Sequence, residues 1–133
     1  MSTPGPTPNP TDGELAILRV LWAHDAPATV REVHEVLSRT KDTAYTTVLK
    51  MLTIMAEKGL VHRDESERSH TYRALCEEPT VQSSMLKSLV QRAFSGSALT
   101  LVQRALDDEM ASAEDLDAIS KLIAQAKAKR KQD

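Results

Sequence analysis

The junction Lys58-Gly59-Leu60-Val61 is the tightest local constraint on how this chain can fold. A cation in a last helical turn lies against the partial negative charge of the helix C-terminus. A glycine just past it takes the left-handed conformation that a side chain resists. A helix therefore stops here. Upstream, with Thr43 as the expected N-cap, Val48, Met51, Leu52 and Met55 recur at helical spacing and form an apolar back. Downstream, residues 60–64 and 69–75 read as two short strands, which the polar tip Glu65-Ser66-Glu67-Arg68 joins into a hairpin. Packing does not explain Thr46, Lys50, Thr53 and Glu57. Spaced 4, 3 and 4 residues apart, they make a thin polar line along one side of the helix.

Two more helices precede this one, each opened by the same punctuation. Thr11-Asp12-Gly13-Glu14 fits a capping box, in which the threonine hydroxyl accepts from the third amide and the glutamate reaches back. Leu15, Leu18 and Trp22 follow at helical period, with Ile17 and Leu21 beside them. Ala26-Pro27-Ala28 interrupts, and Thr29-Val30-Arg31-Glu32 repeats the box ahead of a buried side formed by Val30, Val33, Val36 and Leu37. Residues 38–42 read as a polar turn. Three helices followed by a hairpin describe a winged helix-turn-helix over residues 11–76.

Aromatic residues make up 3% of the 133, against 41% hydrophobic overall, so the core must be aliphatic, which favours helices over a β-sandwich. Beyond Glu77-Glu78-Pro79 the pattern is helical throughout. Val81, Met85, Leu89 and Ala93, with Leu86, Val90 and Phe94, form a broad apolar stripe that Ser95-Gly96-Ser97 interrupts. Ala98 to Leu106 is a shorter helix, and Ser112-Ala113-Glu114-Asp115 opens a last one carrying Leu116, Ile119, Ile123 and Ala126. That is more apolar surface than one such segment can bury against itself. The expectation is a helical dimerisation domain over residues 77–128, with Leu89, Val90, Phe94, Leu101, Val102, Leu106, Leu116, Ile119 and Ile123 against an identical chain. Packing back onto the N-terminal lobe is the alternative. Residues 1–10, with proline at 4, 6, 8 and 10, are expected to be a disordered tail, and residues 129–133 a second tail. The fold class is mainly α with a small β-hairpin.

Several functions are set aside on composition. Cys76 is the one cysteine, and His24, His34, His62 and His70 lack ligand spacing, so neither metal nor cofactor is expected. No basic leader or apolar run of ~18 residues occurs, so the expectation is a cytoplasmic protein without membrane insertion. With no nucleophile–base pair and no glycine-rich phosphate loop, an enzyme is not expected.

A polar line on a helix whose back is buried suits a recognition helix in a DNA major groove. Thr46, Thr47, Leu49 and Lys50 are the expected base-side and phosphate contacts on this helix, with Arg63 and Arg68 meeting phosphate from the wing. Threonine can bond phosphate or base and lysine can reach phosphate or guanine, while a leucine can touch a thymine methyl. The field is weak. Residues 31–73 hold eight cations (Arg31, Arg39, Lys41, Lys50, Lys58, Arg63, Arg68, Arg73) against seven anions (Glu32, Glu35, Asp42, Glu57, Asp64, Glu65, Glu67). Affinity would then depend on two lobes binding at once. A winged helix used for protein contact, without sequence-specific DNA binding, is the alternative.

Residues 11–22, Thr29 to Val33, Ala44-Tyr-Thr-Thr-Val-Leu-Lys-Met-Leu52, Glu57-Lys-Gly-Leu60, His70-Thr-Tyr-Arg-Ala74 and Phe94-Ser-Gly-Ser-Ala98 together resemble the penicillinase-repressor family of BlaI/MecI/CopY type. The resemblance covers essentially residues 10–125. It implies a homodimer on a palindromic operator, repressing β-lactamase-type or related genes. It further implies inactivation by proteolysis in the C-terminal region, triggered by a membrane sensor metallopeptidase. The chain departs from the pattern in three places. Its end, Ala126-Lys-Ala-Lys-Arg-Lys-Gln-Asp133, lacks the cysteine-rich hook of the copper-responsive branch. The place of the Asn-Phe bond cut in the staphylococcal repressors falls close to Val102-Gln103. Leu49 stands where the family has a positive charge early in the recognition helix, with Lys50 next to it.

Overall fold

In a computed structural model the chain is described over residues 9–132, with six helices and three strands among them. It divides into two compact units between Leu86 and Lys87. The division falls inside a helix and ten residues beyond the expected boundary at Cys76.

The first unit begins with α1 (Asp12–Ala23) and α2 (Val30–Leu37), and both capping boxes form as the sequence dictates. The Thr11 amide donates to Glu14 at 2.9 Å and the Glu14 amide to the Thr11 hydroxyl at 3.2 Å. Thr29 and Glu32 repeat both bonds at the same distances. α3 (Tyr45–Lys58) ends at Gly59, whose φ of 81° lets the next amide, that of Leu60, turn back to the Met55 carbonyl. Its start differs from expectation. Ala44, not Thr43, is the N-cap, and no side chain caps the first turn; the Thr43 hydroxyl instead donates to the Lys41 carbonyl.

The hairpin comprises β2 (Val61–Asp64) and β3 (Thr71–Ala74), antiparallel with Val61 opposite Ala74 and Asp64 opposite Thr71. A third strand was not expected. β1 (Ala28–Thr29) pairs with β3, so that the sheet runs β1-β3-β2. The stretch read only as a break therefore anchors α2 to the wing.

The core lies among these elements. Ile17 and Leu18 of α1, Val33 of α2, and Val48, Leu52 and Met55 of α3 are fully buried, with Leu60, Val61 and Tyr72 closing the sheet side. At ~1.5–3 kcal/mol for each fully buried aliphatic side chain, they are what holds α3 in place. The Trp22 indole N–H donates to the Cys76 carbonyl at 2.9 Å, tying α1 to the chain that leaves the hairpin. Two features widen the lobe past its expected limits. Pro10, assigned to the tail, is buried, and Asn9 accepts from the Ser84 hydroxyl at 2.8 Å. Val81, at the start of α4 (Glu78–Ala93), is fully buried. Residues 1–8 of the expected tail lie outside the described residues.

The second unit contains the end of α4, then α5 (Ala98–Asp107) and α6 (Ala113–Gln132). Ser97 caps α5 at the Thr100 amide, and Ser112 and Asp115 bond reciprocally at the head of α6. Residues 129–132, expected as a tail, continue α6. No residue of α5 or α6 is buried. Leu89, Val102, Leu106, Leu116 and Ile123 are exposed, and Val90, Phe94, Leu101 and Ile119 are half-buried. Leu99 and Met110, which the stripe did not single out for the interface, are 78% and 75% exposed.

Candidate nucleic-acid interface

α3 carries three kinds of surface. Its back, Val48, Leu52 and Met55, is sealed in the core. Its outer ridge is the polar line foreseen from spacing, on which Thr46 and Lys50 are exposed. Thr53 belongs to that line, but its hydroxyl donates to the Leu49 carbonyl at 2.9 Å, so that donor is used within the helix. The flanks differ from each other. Tyr45 and Leu49, 46% and 41% exposed, face the wing, whereas Thr47 lies beside Met51 and the α2–α3 turn.

Between the Leu49 flank and the wing runs an open cleft of about 530 Å³, lined by Arg31 at the start of α2, by Tyr45 and Leu49, and by Arg68, Ser69 and His70 of the wing. Two arginines thus share this cleft with Tyr45 and Leu49 at the edge of the recognition helix. The wing tip is shaped locally: the Ser66 amide donates to Asp64 at 2.9 Å, a turn that Asp favours. That bond holds the Asp64 carboxyl below its ordinary range.

The expected contacts separate into groups. Leu49 and Arg68 come together in the cleft. Thr46 and Lys50 lie on the ridge beside it, and Thr47 lies on the opposite flank. Arg63 is not brought to the cleft. It sits on β2 opposite Tyr72, half-buried, and its Nε meets Glu65 at 3.0 Å. A hydrogen bond with Tyr72, then the charges of Glu65 and Glu57, hold its guanidinium more firmly protonated. Arg31 and Tyr45 are cleft residues that reading the sequence left out of the site. Arg31 was hidden inside a capping motif that explained its neighbours. Tyr45 could have been found, since it is a large side chain at the first position of the recognition helix.

The head of α3 is chemically open. α1 and α2 each bring a glutamate to their first turn and close it with a capping box. α3 has no acidic residue there and no side-chain cap. The Thr47 amide bonds the Ala44 carbonyl at 3.1 Å, so the open positions are those of Tyr45 and Thr46, at the positive end of the helix dipole. At the far end, Lys58 is committed elsewhere, with its Nζ 2.8 Å from the buried Glu14 carboxylate. Burial alone would raise the Glu14 pKa, but the Lys58 bond and the Thr11 amide outweigh it and hold the group below its ordinary value of 4.5.

A small helical lobe with a wing, an exposed recognition helix and flanking arginines is the build of a winged-helix transcriptional regulator, not of an enzyme. The family model described as penicillinase repressor matches residues 10–125, and the chain belongs to that family. It is 35% identical over 118 residues to the transcriptional regulator BlaI of Mycobacterium tuberculosis, covering 88% of this chain and 84% of that protein. To the penicillinase repressor of Bacillus licheniformis it is 24% identical over 125 residues, 94% of this chain and 97% of the other. Among solved structures, the Bacillus licheniformis BlaI monomer in complex with the blaP half-operator aligns at 27% identity and a TM-score of 0.48. That alignment covers 56% of this chain and 89% of the other.

Proposed function

We propose that this protein is a transcriptional repressor that binds double-stranded DNA as a homodimer on an inverted-repeat operator. The observation that carries the reading is Leu49. A leucine 41% exposed, in a helix whose neighbouring Val48 and Leu52 are fully buried, is hard to motivate for a solvated surface, yet it suits a thymine methyl. Thr46 and Lys50 on the ridge and Arg31 and Arg68 across the cleft supply the phosphate contacts around it. Family membership points the same way. The absence of any buried residue in α5 and α6 supports pairing of the C-terminal helices with a second chain, through Leu89, Val90, Phe94, Leu101, Val102, Leu106, Leu116, Ile119 and Ile123. Two recognition helices would then read half-sites one DNA turn or a multiple apart, ~34 Å per turn.

Release belongs to the same proposal. A cut in the C-terminal helices by a membrane sensor metallopeptidase would separate the lobes and free the operator in the cytoplasm, without touching a base contact. The family resemblance supports this route. Val102 and Gln103, close to the place that matches the bond cut in the staphylococcal repressors, lie within α5, so for a cut there the helix would have to open before a peptidase could seat its backbone.

The test compares the full chain with a fragment ending at Leu86, which keeps Pro10, Trp22, Cys76 and Val81 and hence the whole core of the first lobe. Duplexes selected from a random pool by the full chain should contain an inverted repeat. The fragment should sediment as a monomer and bind those duplexes far more weakly, having lost the linkage between half-sites. A fragment still dimeric at micromolar concentration would mean that the interface lies elsewhere.

A further inference from the structure

The open head of α3 raises the question of what fixes its position, since no side chain of its own caps it. The answer lies on α2. The His34 Nε2 lies 2.7 Å from the Thr43 carbonyl, just ahead of the helix. A carbonyl can only accept, so Nε2 carries the proton and donates. The same ring packs edge-on against Tyr45, the first residue of α3, with centroids 5.7 Å apart and planes at 72°. Thr43 is held from its other side as well, because its hydroxyl donates to Lys41. One imidazole therefore grips both the residue before the N-cap and the residue after it.

We infer that His34 is the positioning residue for the recognition helix: it holds the Thr43–Tyr45 segment so that α3 keeps its setting against α2 and Tyr45 stays turned to the cleft. His34 itself need not touch DNA.

This inference rests on the DNA-binding reading, and the experiment separates the two. Affinities of wild type, His34→Ala and His34→Gln are measured for a duplex selected by the wild-type protein from a random pool, and for a scrambled duplex of equal length and composition. Glutamine is the rescuing variant, because its amide can donate to Thr43 as Nε2 does. His34→Ala should lose roughly five- to tenfold on the selected duplex, the weight of about one hydrogen bond, and change little on the scrambled one. His34→Gln should recover most of the loss. Equal losses on both duplexes, no loss on either, or no recovery with glutamine would overturn the assignment. Amide hydrogen exchange without DNA provides an independent readout. His34→Ala should speed exchange at Thr47 and Val48 while leaving Leu52 and Met55 unchanged, and an unaltered first turn would overturn the inference whatever the DNA result. If the wild type fails to distinguish the two duplexes, it is the DNA-binding reading that fails, and exchange still decides the role of His34.

Discussion

Two arginines of the wing have the same charge but differ in their engagement. Arg63 lies half-buried beside Glu65 and Tyr72, whereas Arg68 lines the cleft opposite Leu49. An arginine already neutralised by a neighbouring carboxylate has little counterion to exchange with a phosphate. Arg68→Ala should therefore lower the log–log slope of affinity against salt by roughly one for each half-site, while Arg63→Ala leaves it nearly unchanged. Equal slopes in both variants would mean that the cleft is not the phosphate track. Leu49 makes a different prediction, because a methyl contact carries no charge. Leu49→Ala should weaken binding to the selected duplex by about 1 kcal/mol, at the low end for one mismatched pair, with the salt slope intact. Replacing the contacted thymine by uracil should cost the wild type and leave the mutant almost unaffected. If uracil cost both proteins equally, Leu49 would be no more than lobe packing.

At the scale of elements, both capping boxes, the glycine stop at 59 and the hairpin were legible, because each rests on residues adjacent in sequence whose chemistry acts locally. What escaped was set at long range. β1 is two residues, too short to carry a periodicity, and exists only because Ala28 and Thr29 meet Tyr72 and Thr71. The open start of α3 was misread since Thr43 has the right chemistry for a cap but is turned toward Lys41. Of the candidate site, Leu49 and Lys50 followed from helical spacing, while Arg31 needed the fold to bring α2 to the wing. Lys58 illustrates the same limit. It suits the end of its own helix, yet its partner is Glu14, 44 residues away. This pair couples α1 to α3 and sets an acid limit. The folded Glu14 carboxyl titrates below its ordinary 4.5, so the stabilisation is whole above that value and is lost as pH falls through the folded value. Glu32, lowered chiefly by the Thr29 amide, acts in the same direction. Glu14→Gln should cost on the order of 1 kcal/mol at neutral pH, a figure kept low because Lys58 is half-exposed. In thermal unfolding the gap from wild type should close as the pH is taken below 4.5. A gap independent of pH would show that the carboxylate charge contributes nothing.

At the scale of the whole molecule, a net charge of −2 and a nearly balanced lobe mean that no single domain draws DNA strongly. On the proposed reading the molecule would depend on doubling: α5 and α6, with nothing buried in a single chain, would be covered by a second copy, and two weak lobes would then act as one ligand. A winged helix used only for protein contact would need no such salt-sensitive face. The measurement that separates the two is a salt titration of wild-type binding to the duplex it selects. If Lys50, Arg31 and Arg68 of two chains meet phosphates, log affinity should fall against log salt with a slope of roughly −4 to −6. A slope near zero would contradict DNA binding by this face.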